Sequence, residues 1–418
     1  MEGRKYFKVL GSIFIVLTIA GSTFAQTTPK PIKLGVLYSL TGMFSATGVD
    51  THNGVMTWIE LQNQKGGIKG HPIQFVDLDD QSDPTKAALA AKKFIDAENV
   101  HAIVGSAATG LALAVGPVCE KSETPYVSAG GSEVFEQTLK PHWSFRCATS
   151  TSETVDWGLG ALKLLDPKII KLAVLYQGHA VGKASYDNAA RYAPMRGMKI
   201  VAVEKYDPNG TEFGAQIMSI IKANPDAVGV YGADMAGPLA IKQMREMGMN
   251  KPIITLGAIS MKATREAFKD TFSIPPYVYS AGQKADVWGQ LPRDTIDYKT
   301  LAPIAMAYEK KYNDQYTWFQ QLGVNNVLLT MNSVERALNE DPNLLDRDLQ
   351  TIRASIRNKI ETVKDLQCGG IMTCFTPKNH NVLAPGSAVA TFHFEKGKIV
   401  YDPQLSKIKL NPPPPLPD

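Results

Sequence analysis

The sequence predicts an α/β protein of two similar lobes, each a parallel β-sheet flanked by helices. Short apolar segments with strand character alternate with segments of helical spacing from Ile32 onwards, and the same order begins again at Lys171. In both halves the third strand runs into a turn of small residues, VGSAATG (104–110) and YGADMAG (231–237). Because open parallel sheets bind ligands beyond the carboxyl ends of their strands, two facing lobes would enclose a binding cleft.

The first half of the chain holds four predicted strands separated by helical segments. The strands are IKLGVLYS (32–39), IQFVDLD (73–79), HAIVGS (101–106) and PYVSAG (125–130). The first helical segment is stopped by Gly66 and Gly67, since glycine accepts the left-handed conformation that ends helices. We expect the second helix to begin with Asp83 as its N-cap and Pro84 in its first turn.

The second half repeats this order, and the rest of the chain adds helices and a hairpin. Its predicted strands are KLAVLYQ (171–177), KIVAVEKY (199–206), AVGVYGA (227–233) and PIITLGA (252–258). Two further helical patterns follow, at 301–314 and 325–340. The segment AVATFHFEKGKIVYD predicts a β-hairpin that turns at Lys396 and Gly397. A proline-rich tail at 411–418 is expected to be solvated.

The N-terminal 25 residues predict a cleaved signal peptide. A short basic segment precedes an apolar stretch, residues 9–20, that is too short to span a bilayer. Small residues then lead to Ala25, which suits a signal peptidase site before Gln26. No cysteine lies near that site, which disfavours a lipid anchor. The mature chain is therefore expected to be exported and soluble.

Charge and cysteine content restrict the possible partners and cross-links. The formal net charge of +4 falls to +2 when the signal peptide is removed, which argues against nucleic acid or an anionic membrane as a partner. The four cysteines are too few to build the fold. Cys368 and Cys374 could close a small loop by a disulfide, whereas Cys119 is expected to be a small buried apolar side chain.

Motifs for catalysis, metal binding and cofactor binding are missing from the sequence. It has no G-x-S-x-G elbow, no H-E-x-x-H motif and no phosphate-binding loop ending in G-K-[ST]. An acidic cluster at Asp77, Asp79, Asp80 and Asp83 lacks the glycine and terminal glutamate of a calcium loop, so solvated loop charge plus a helix cap is the simpler interpretation. We expect a protein that is not an enzyme and that needs neither a metal nor a cofactor.

Five segments stand in a distinctive order and spacing along the chain. They are IKLGVLYSLTGMFSATG (32–48), NQKGGIKGHPIQFVDLDDQSDPTKAALAAKKFI (63–95), AIVGSAATGLALAVGPV (102–118), PYVSAGGS (125–132) and FRCATS (145–150). Together they closely resemble the periplasmic solute-binding proteins of branched-chain-amino-acid-type ABC importers, over a region from Ile32 to Asp402. The resemblance implies the type I periplasmic binding protein fold, a periplasmic location and no enzymatic activity.

The resemblance also implies how the two lobes are assembled. Three crossovers join the lobes of this family, and they are placed here near Cys147, Gln283 and Pro385. The first lobe would then comprise 26–147 with 283–385, and the second 148–282 with 386–410. The lobes are expected to close like a hinge on a small ligand.

The family's carboxylate site lies on the first lobe. Its members hold the ligand's α-carboxylate with a hydroxyl and backbone N–H groups on the turn after the third strand, where this chain has Thr109. The following strand contributes a backbone group, here Gly130, and a hydroxyl, here Ser132. The residues themselves leave alternatives open, because Thr109 could serve only as a helix N-cap and Ser132 could bond its own backbone.

Other contacts depart from the family pattern. Thr47 stands where family members often carry an aromatic side chain, and Asp234 stands in place of a second-lobe tyrosine. The carboxylate that holds an amino acid's ammonium group falls on Ile259. Asp234 could replace that carboxylate, or it could cap the helix that follows. Phe319, beside Trp318, aligns with an apolar ligand contact, and core packing is its alternative.

The resemblance therefore predicts the substrate-binding component of an ABC importer. Its ligand would be a small carboxylate, either a branched-chain-type amino acid or an aromatic or aliphatic acid, delivered by a monomeric protein to an inner-membrane permease. The alternative is a periplasmic sensor that reports to a separate receptor. A neighbouring permease and ATPase in the genome would favour transport, and a neighbouring histidine kinase would favour sensing.

Overall fold

The computed structural model describes residues 29–130, 132–139, 142–364, 366–368, 371–373, 375–376, 380 and 388–412. The strands are β1 (Ile32–Tyr38), β2 (Ile73–Asp79), β3 (Ala102–Gly105), β4 (Tyr126–Ser128), β5 (Ser144–Arg146), β6 (Lys171–Gln177), β7 (Lys199–Tyr206), β8 (Ala227–Tyr231), β9 (Ile253–Thr255), β10 (Val278–Gln283), β11 (Leu366–Cys368), β12 (Ile371–Thr373), β13 (Val389–Glu395) and β14 (Lys398–Tyr401). The helices are α1 (Ser45–Gln64), α2 (Pro84–Asp96), α3 (Thr109–Lys121), α4 (Val134–Leu139), α5 (Thr151–Leu165), α6 (Ala180–Met195), α7 (Gly214–Lys222), α8 (Ala236–Glu246), α9 (Lys262–Phe272), α10 (Ile296–Tyr312), α11 (Trp318–Glu340) and α12 (Leu349–Glu361).

The first lobe is built on a five-stranded parallel sheet in the order β2-β1-β3-β4-β5. Helices α1, α11 and α12 bury one face, with Val55 and Ile356 in the core. Helices α2, α3 and α4 bury the other, with Phe94 and Leu111 in the core. Covering both faces removes the apolar strands from water, which is the main driving force for this architecture.

The second lobe repeats this strand order and extends it. Its sheet runs β7-β6-β8-β9-β10-β13-β14, with parallel pairing from β7 to β10. The last two strands are antiparallel and form the predicted hairpin, with φ of 50° at Lys396 and 74° at Gly397. The prediction of two lobes with separate sheets is thus confirmed, with the addition that the second sheet is mixed.

Helices α1 and α11 approach each other closely beside the first sheet. A Cβ atom on Gly54 would lie 2.0 Å from the carbonyl oxygen of Gln320, and one on Gly323 would lie 2.0 Å from that of Thr51. Glycine is therefore required at both positions for the two backbones to meet. The contact joins the middle of α1 to the first two turns of α11.

The predicted crossovers near Cys147 and Gln283 lie at the ends of β5 and β10, and Pro385 lies outside the described residues. Helix α10, which the sequence assigns to the first lobe, buries Leu301 and Tyr308 in the same apolar cluster as second-lobe side chains. The core is therefore continuous across this part of the proposed boundary. The exact lobe limits stay a prediction.

Several smaller predictions can also be compared with the structure. Asp83 caps α2 by accepting hydrogen bonds from the backbone N–H groups of Thr85 and Lys86, as expected. Cys119 is buried in α3, and burial raises the pKa of its thiol. The signal peptide, most of the proline-rich tail and Cys374 of the predicted disulfide lie outside the described residues.

Membrane-spanning helices and metal-binding clusters are both absent from the described part of the chain. Within it, no helix combines the length and apolar character needed to cross a bilayer. Within the same residues, no group of three or more His, Cys, Asp or Glu side chains is placed to hold a metal ion. Two carboxylates of the acidic cluster join its loop to the loop after β1, because Asp79 accepts from the N–H of Leu40 and Asp80 accepts from the hydroxyl of Ser39.

Candidate functional site

A cavity of about 380 Å³ lies between the two lobes. Its wall is mostly apolar and comes from both lobes: Met43, Phe44, Thr47, Ser82, Pro84, Ala107, Ala108, Thr109, Gly110, Leu111, Ala129, Ala148, Gln177, His179, Ala180, Val181, Ala233, Trp318, Phe319 and Leu322. Among these described wall residues there is no Asp, Glu, Lys or Arg. The volume and composition are those of a site for a small, largely apolar ligand.

The turn after β3 brings the start of α3 into the cavity wall. Gly105 has φ of 156°, and a Cβ atom there would lie 2.1 Å from the carbonyl oxygen of Leu37. The N-cap of α3 is Ala108, whose side chain makes no capping hydrogen bond. The alternative in which Thr109 is the N-cap is therefore wrong, since Thr109 is the first helical residue. The N-terminus of α3 is left for another acceptor to fill.

Thr109 is buried in the wall, and its hydroxyl contacts the loop that follows β4. Its Oγ1 accepts a hydrogen bond of 3.2 Å from the backbone N–H of Ser132. The hydroxyl of Ser132 in turn accepts from the N–H of Val134 at 3.3 Å, so it caps the start of α4. Ser132 lies outside the cavity wall, and its position matches the alternative of a loop hydroxyl bonded to its own backbone.

Gly130 packs against the backbone of Thr109 on the side away from the cavity. Its N–H donates to Oγ of Ser128 at 3.0 Å, and its carbonyl oxygen accepts from the guanidinium of buried Arg146 at 3.4 Å. A Cβ atom at this position would lie 3.1 Å from Cα of Thr109, so a larger residue would press against the turn. The neighbouring Ala129, not Gly130, forms the wall of the cavity.

Asp234 is buried below the cavity wall in the second lobe. Its carboxylate accepts from Nε2 of Gln177 at 2.5 Å, from the hydroxyl of Tyr206 at 3.2 Å and from the N–H of Gly237 at 2.9 Å. Burial raises the pKa of this carboxyl group, against the lowering effect of these hydrogen bonds. Since Asp234 is absent from the wall and holds the first turn of α8, its arrangement matches the capping alternative.

The first loop places Phe44 and Thr47 in the wall. Oγ1 of Thr47 donates a hydrogen bond of 3.1 Å to the carbonyl oxygen of Ala233 in the second lobe. The ring of Phe44 meets the ring of His179 edge-on, with 6.0 Å between centroids. Thr47 lies in the wall, as expected of a ligand-binding position, and Phe44, three residues earlier, also brings an aromatic ring to the cavity.

The apolar side of the cavity is formed at the start of α11. Phe319 is buried in the wall, with its ring centroid 4.6 Å from that of Trp318. Phe319 also packs with Ala129 of the first lobe and Met261 of the second. Ile259 lies in the apolar core of the second lobe and does not line the cavity. No acidic side chain among the described wall residues replaces the one that Ile259 lacks.

Further contacts hold the lobes together around the cavity. Asp50 of α1 accepts from the N–H of Lys262, the first residue of α9, at 3.1 Å. Burial raises the pKa of Asp50 to about 6. Arg265 of α9 forms an ion pair of 2.9 Å with Asp314, just before α11. The bond between Asp50 and Lys262 therefore joins the two lobes beside the cavity.

Sequence reasoning missed three wall residues that stand out in the structure: Phe44, Gln177 and His179. Phe44 could have been found, since it lies only three residues before Thr47, which was assigned to the family's aromatic position. Gln177 and His179 follow β6 at the carboxyl edge of the second sheet, which is where ligands bind in such sheets. That signal identifies the edge of the sheet but does not show which side chains face the cavity.

A two-lobed α/β fold closed over an apolar cavity defines a solute-binding protein. The chain belongs to the periplasmic binding protein family, whose model matches residues 31–394. This membership confirms the fold and implies a periplasmic location. The family consists of solute-binding proteins and not of enzymes, in agreement with the motif analysis.

Two relatives are named as homologs of Leu/Ile/Val-binding proteins. The chain is 25% identical over 336 residues to Leu/Ile/Val-binding protein homolog 7 of Brucella abortus, covering 77% of this chain and 82% of the relative. It is 26% identical over 250 residues to Leu/Ile/Val-binding protein homolog 3 of Brucella melitensis, covering 59% of this chain and 66% of the relative. The resemblance to the branched-chain-amino-acid type is thereby confirmed.

Solved structures share the fold. An extracellular ligand-binding receptor from Rhodopseudomonas palustris HaA2 matches with a TM-score of 0.79 and 23% identity, covering 89% of this chain and 99% of that one. The branched-chain amino acid transporter substrate binding protein LivJ from Streptococcus pneumoniae, in complex with isoleucine, matches with a TM-score of 0.73 and 20% identity, covering 88% and 98%.

Proposed function

We propose that this protein captures a carboxylic acid that has an apolar body and no α-ammonium group, and delivers it to an inner-membrane ABC permease. The observation that carries this proposal is the wall of the interlobe cavity. It contains Thr109 and the uncapped start of α3, but no acidic side chain among its described residues. Such a wall offers N–H and hydroxyl donors to a carboxylate, while its described residues include no carboxylate to pair with an ammonium group.

The carboxylate is placed at the N-terminus of α3. The first N–H groups of a helix have no intrahelical partner and carry partial positive charge, which suits an anion. Thr109 adds a hydroxyl whose oxygen already accepts from Ser132, so its proton can point to the ligand. In this proposal Gly130 and Ser132 position Thr109 and do not touch the ligand.

The body of the ligand is placed against Phe44, Trp318 and Phe319. These rings lie in the same wall, and burying apolar ligand surface against them supplies most of the affinity. Thr47 closes this side by bonding to Ala233 across the cleft. An aromatic or branched aliphatic acid fits this surface.

An amino acid fits less well because its ammonium group would be buried without a negative partner. Asp234 is already occupied by three donors and lies outside the wall, and Ile259 is in the core. Burying an unpaired charge is far more costly than burying a methylene group.

Delivery from the periplasm requires export, which the predicted signal peptide with cleavage near Ala25 would provide. We propose that the mature protein acts as a monomer and presents its closed lobes to the permease. Loss of uptake of the bound acid in cells that lack this protein would support transport. Unchanged uptake would favour the sensor alternative.

The ligand class is tested by calorimetry with matched pairs that differ only in the amine: leucine against isocaproate, and phenylalanine against hydrocinnamate. We expect the acid to bind more tightly than its amino acid, by about tenfold or more, since the amine loses hydration without gaining a partner. Hydrocinnamide, which lacks the carboxylate, is the control and should not bind. Tighter binding of leucine than of isocaproate would contradict the proposal.

A further inference from the structure

Asp50 is a buried carboxylate of the first lobe that caps a helix of the second lobe. It lies on α1 and is only 4% exposed. Its Oδ2 accepts a hydrogen bond of 3.1 Å from the backbone N–H of Lys262, the first residue of α9. The N-cap residue of α9 is Met261, whose side chain makes no capping hydrogen bond. The first turn of α9 therefore receives its negative group from the other lobe.

The charged side chains close to Asp50 are engaged with other partners. Arg265 of α9 forms its ion pair of 2.9 Å with Asp314. His52, two residues further along α1, pairs with Asp77 of β2 at 2.7 Å. Among the described residues, neither of these two side chains forms an ion pair with Asp50. Its carboxylate is thus buried between the lobes with a backbone N–H as its partner, and without a cation bound directly to it.

The balance of these surroundings disfavours the charged form of Asp50. Burial raises the pKa of Asp50 to about 6, against the lowering effects of the Lys262 N–H and of the positive charges of Arg265 and Lys262. The negative charge of Asp314, between α10 and α11, adds to the rise in this pKa. Tyr308 of α10 also faces Asp50, and this carboxylate helps to raise the pKa of the Tyr308 hydroxyl, which burial raises most. In water, by contrast, the pKa of an aspartate is about 3.9.

We propose that Asp50 couples ligand capture to the uptake of one proton, because closing the lobes moves its carboxylate from water to the buried start of α9. This inference rests on the proposed function and on hinge-like closure, since a ligand enters a cavity walled by both lobes when the lobes are apart. With the lobes apart, the bond to Lys262 is broken and water reaches Asp50. The proton that binds on closure comes from the solvent.

The sign of the resulting pH dependence follows from the direction of the pKa shift. A carboxyl group whose pKa is raised when the lobes meet opposes their contact while it is charged. This opposition is lost as the pH falls through about 6, where Asp50 becomes protonated. Ligand affinity should therefore increase as the solution becomes more acidic.

The test is calorimetry of hydrocinnamate binding to the mature protein at pH 8 and at pH 5. The affinity should be about tenfold higher at pH 5, because a carboxyl pKa that rises from about 3.9 in water to about 6 between the lobes gives this ratio. Titrations in two buffers with different ionisation enthalpies count the protons. They should find about 0.8 proton taken up per ligand at pH 5 and almost none at pH 8.

Asp50→Asn keeps the shape and the acceptor for the N–H of Lys262 but does not titrate. Its affinity should be nearly the same at both pH values, with no proton uptake. Asp80→Asn is the matched control: Asp80 is also a buried carboxyl group with a pKa raised by burial, but its partners Ser39 and Ser82 belong to the first lobe. This variant should keep the tenfold change. The titration of the acid's own carboxylate is common to all three proteins.

The possible failures can be distinguished. If the wild type binds hydrocinnamate equally at both pH values, or if Asp50→Asn keeps the tenfold change, the coupling is overturned and the proposed function stands. If leucine binds and hydrocinnamate does not, the proposed function fails, and the same comparison made with leucine decides the coupling. If neither binds, both fail. A role for Asp50 in structure alone would lower affinity equally at the two pH values, which also overturns the coupling. A tenfold change that disappears in Asp50→Asn and remains in Asp80→Asn supports both.

Discussion

The turns that follow the third strands of the two lobes occupy equivalent positions in their sheets, but their helices begin differently. In the first lobe, α3 has Ala108 as its N-cap, and the side chain of Ala108 makes no capping hydrogen bond. In the second, Asp234 accepts from the N–H of Gly237 and so fills the first turn of α8. The turn of the first lobe lies in the cavity wall from Ala107 to Leu111, whereas the turn of the second lobe contributes only Ala233 to that wall.

This difference shows how one supersecondary unit can serve two purposes. A helix N-terminus attracts a negative group, which can come from the ligand or from the chain itself. Where the chain supplies Asp234, the site is satisfied internally and becomes part of the core. Where it supplies only Ala108, the site stays available to a carboxylate. We therefore propose that the turn of the first lobe binds the ligand, whereas the turn of the second lobe stabilises its own lobe.

The largest expected effect comes from removing the internal carboxylate. Asp234→Ala would leave the buried donors of Gln177, Tyr206 and Gly237 without their acceptor. We expect the free energy of unfolding to fall by about 3 kcal/mol or more, because each unpaired buried donor costs about 1–3 kcal/mol. Denaturant unfolding measures this change.

Asp187→Ala is the matched control in the same lobe. Asp187 pairs with Lys183 on an exposed face of α6, and such pairs contribute little to stability. If the two alanine variants were equally stable, Asp234 would not be the internal occupant of its helix N-terminus, and the contrast between the turns would fail.

A smaller effect is expected at the turn of the first lobe, and it should appear in binding. Thr109→Val keeps the shape but removes the hydroxyl proposed to contact the carboxylate. Hydrogen bonds to charged groups are worth about 1.5–3 kcal/mol, so affinity for the best-bound acid should fall roughly ten- to a hundredfold. Calorimetry on the folded variant provides the measurement.

Thr300→Val serves as the control, because Thr300 only bonds the backbone of α10. Its affinity should equal that of the wild type. If Thr109→Val lowered the melting temperature and left affinity unchanged, the small residues of the first turn would be explained by packing alone.

The order of helices and strands could be predicted because residues close in sequence determine where each helix or turn begins and ends. Asp83 has two backbone N–H groups within reach at the start of α2, so a capping residue before proline is a sufficient signal. Lys396 and Gly397 both have positive φ, as a two-residue hairpin turn requires. Alternating apolar segments then place helices against both faces of a parallel sheet.

The candidate site could be predicted only in part because its details depend on distant contacts. Thr109 and Phe319 lie in the wall, since each begins a helix at the edge of the cleft. The two side-chain partners of Asp234 are 57 and 28 residues away in sequence, and no local pattern reveals them, unlike the nearby N–H of Gly237.

The smallest expected effect concerns a contact between helix α1 of the first lobe and the second of the two turns compared above. Thr47 of the first lobe donates to the carbonyl oxygen of Ala233, within the second turn, so this bond exists only when the lobes are together. Thr47→Val keeps the shape of the wall and removes one neutral hydrogen bond, worth about 0.5–1.5 kcal/mol. Affinity should therefore fall roughly two- to tenfold, and the loss should appear as faster ligand release, since the closed state is weakened. Stopped-flow release measurements test this, with Thr57→Val as the control because Thr57 bonds only within α1. Release at the wild-type rate from Thr47→Val would mean that the second turn takes no part in holding the lobes closed.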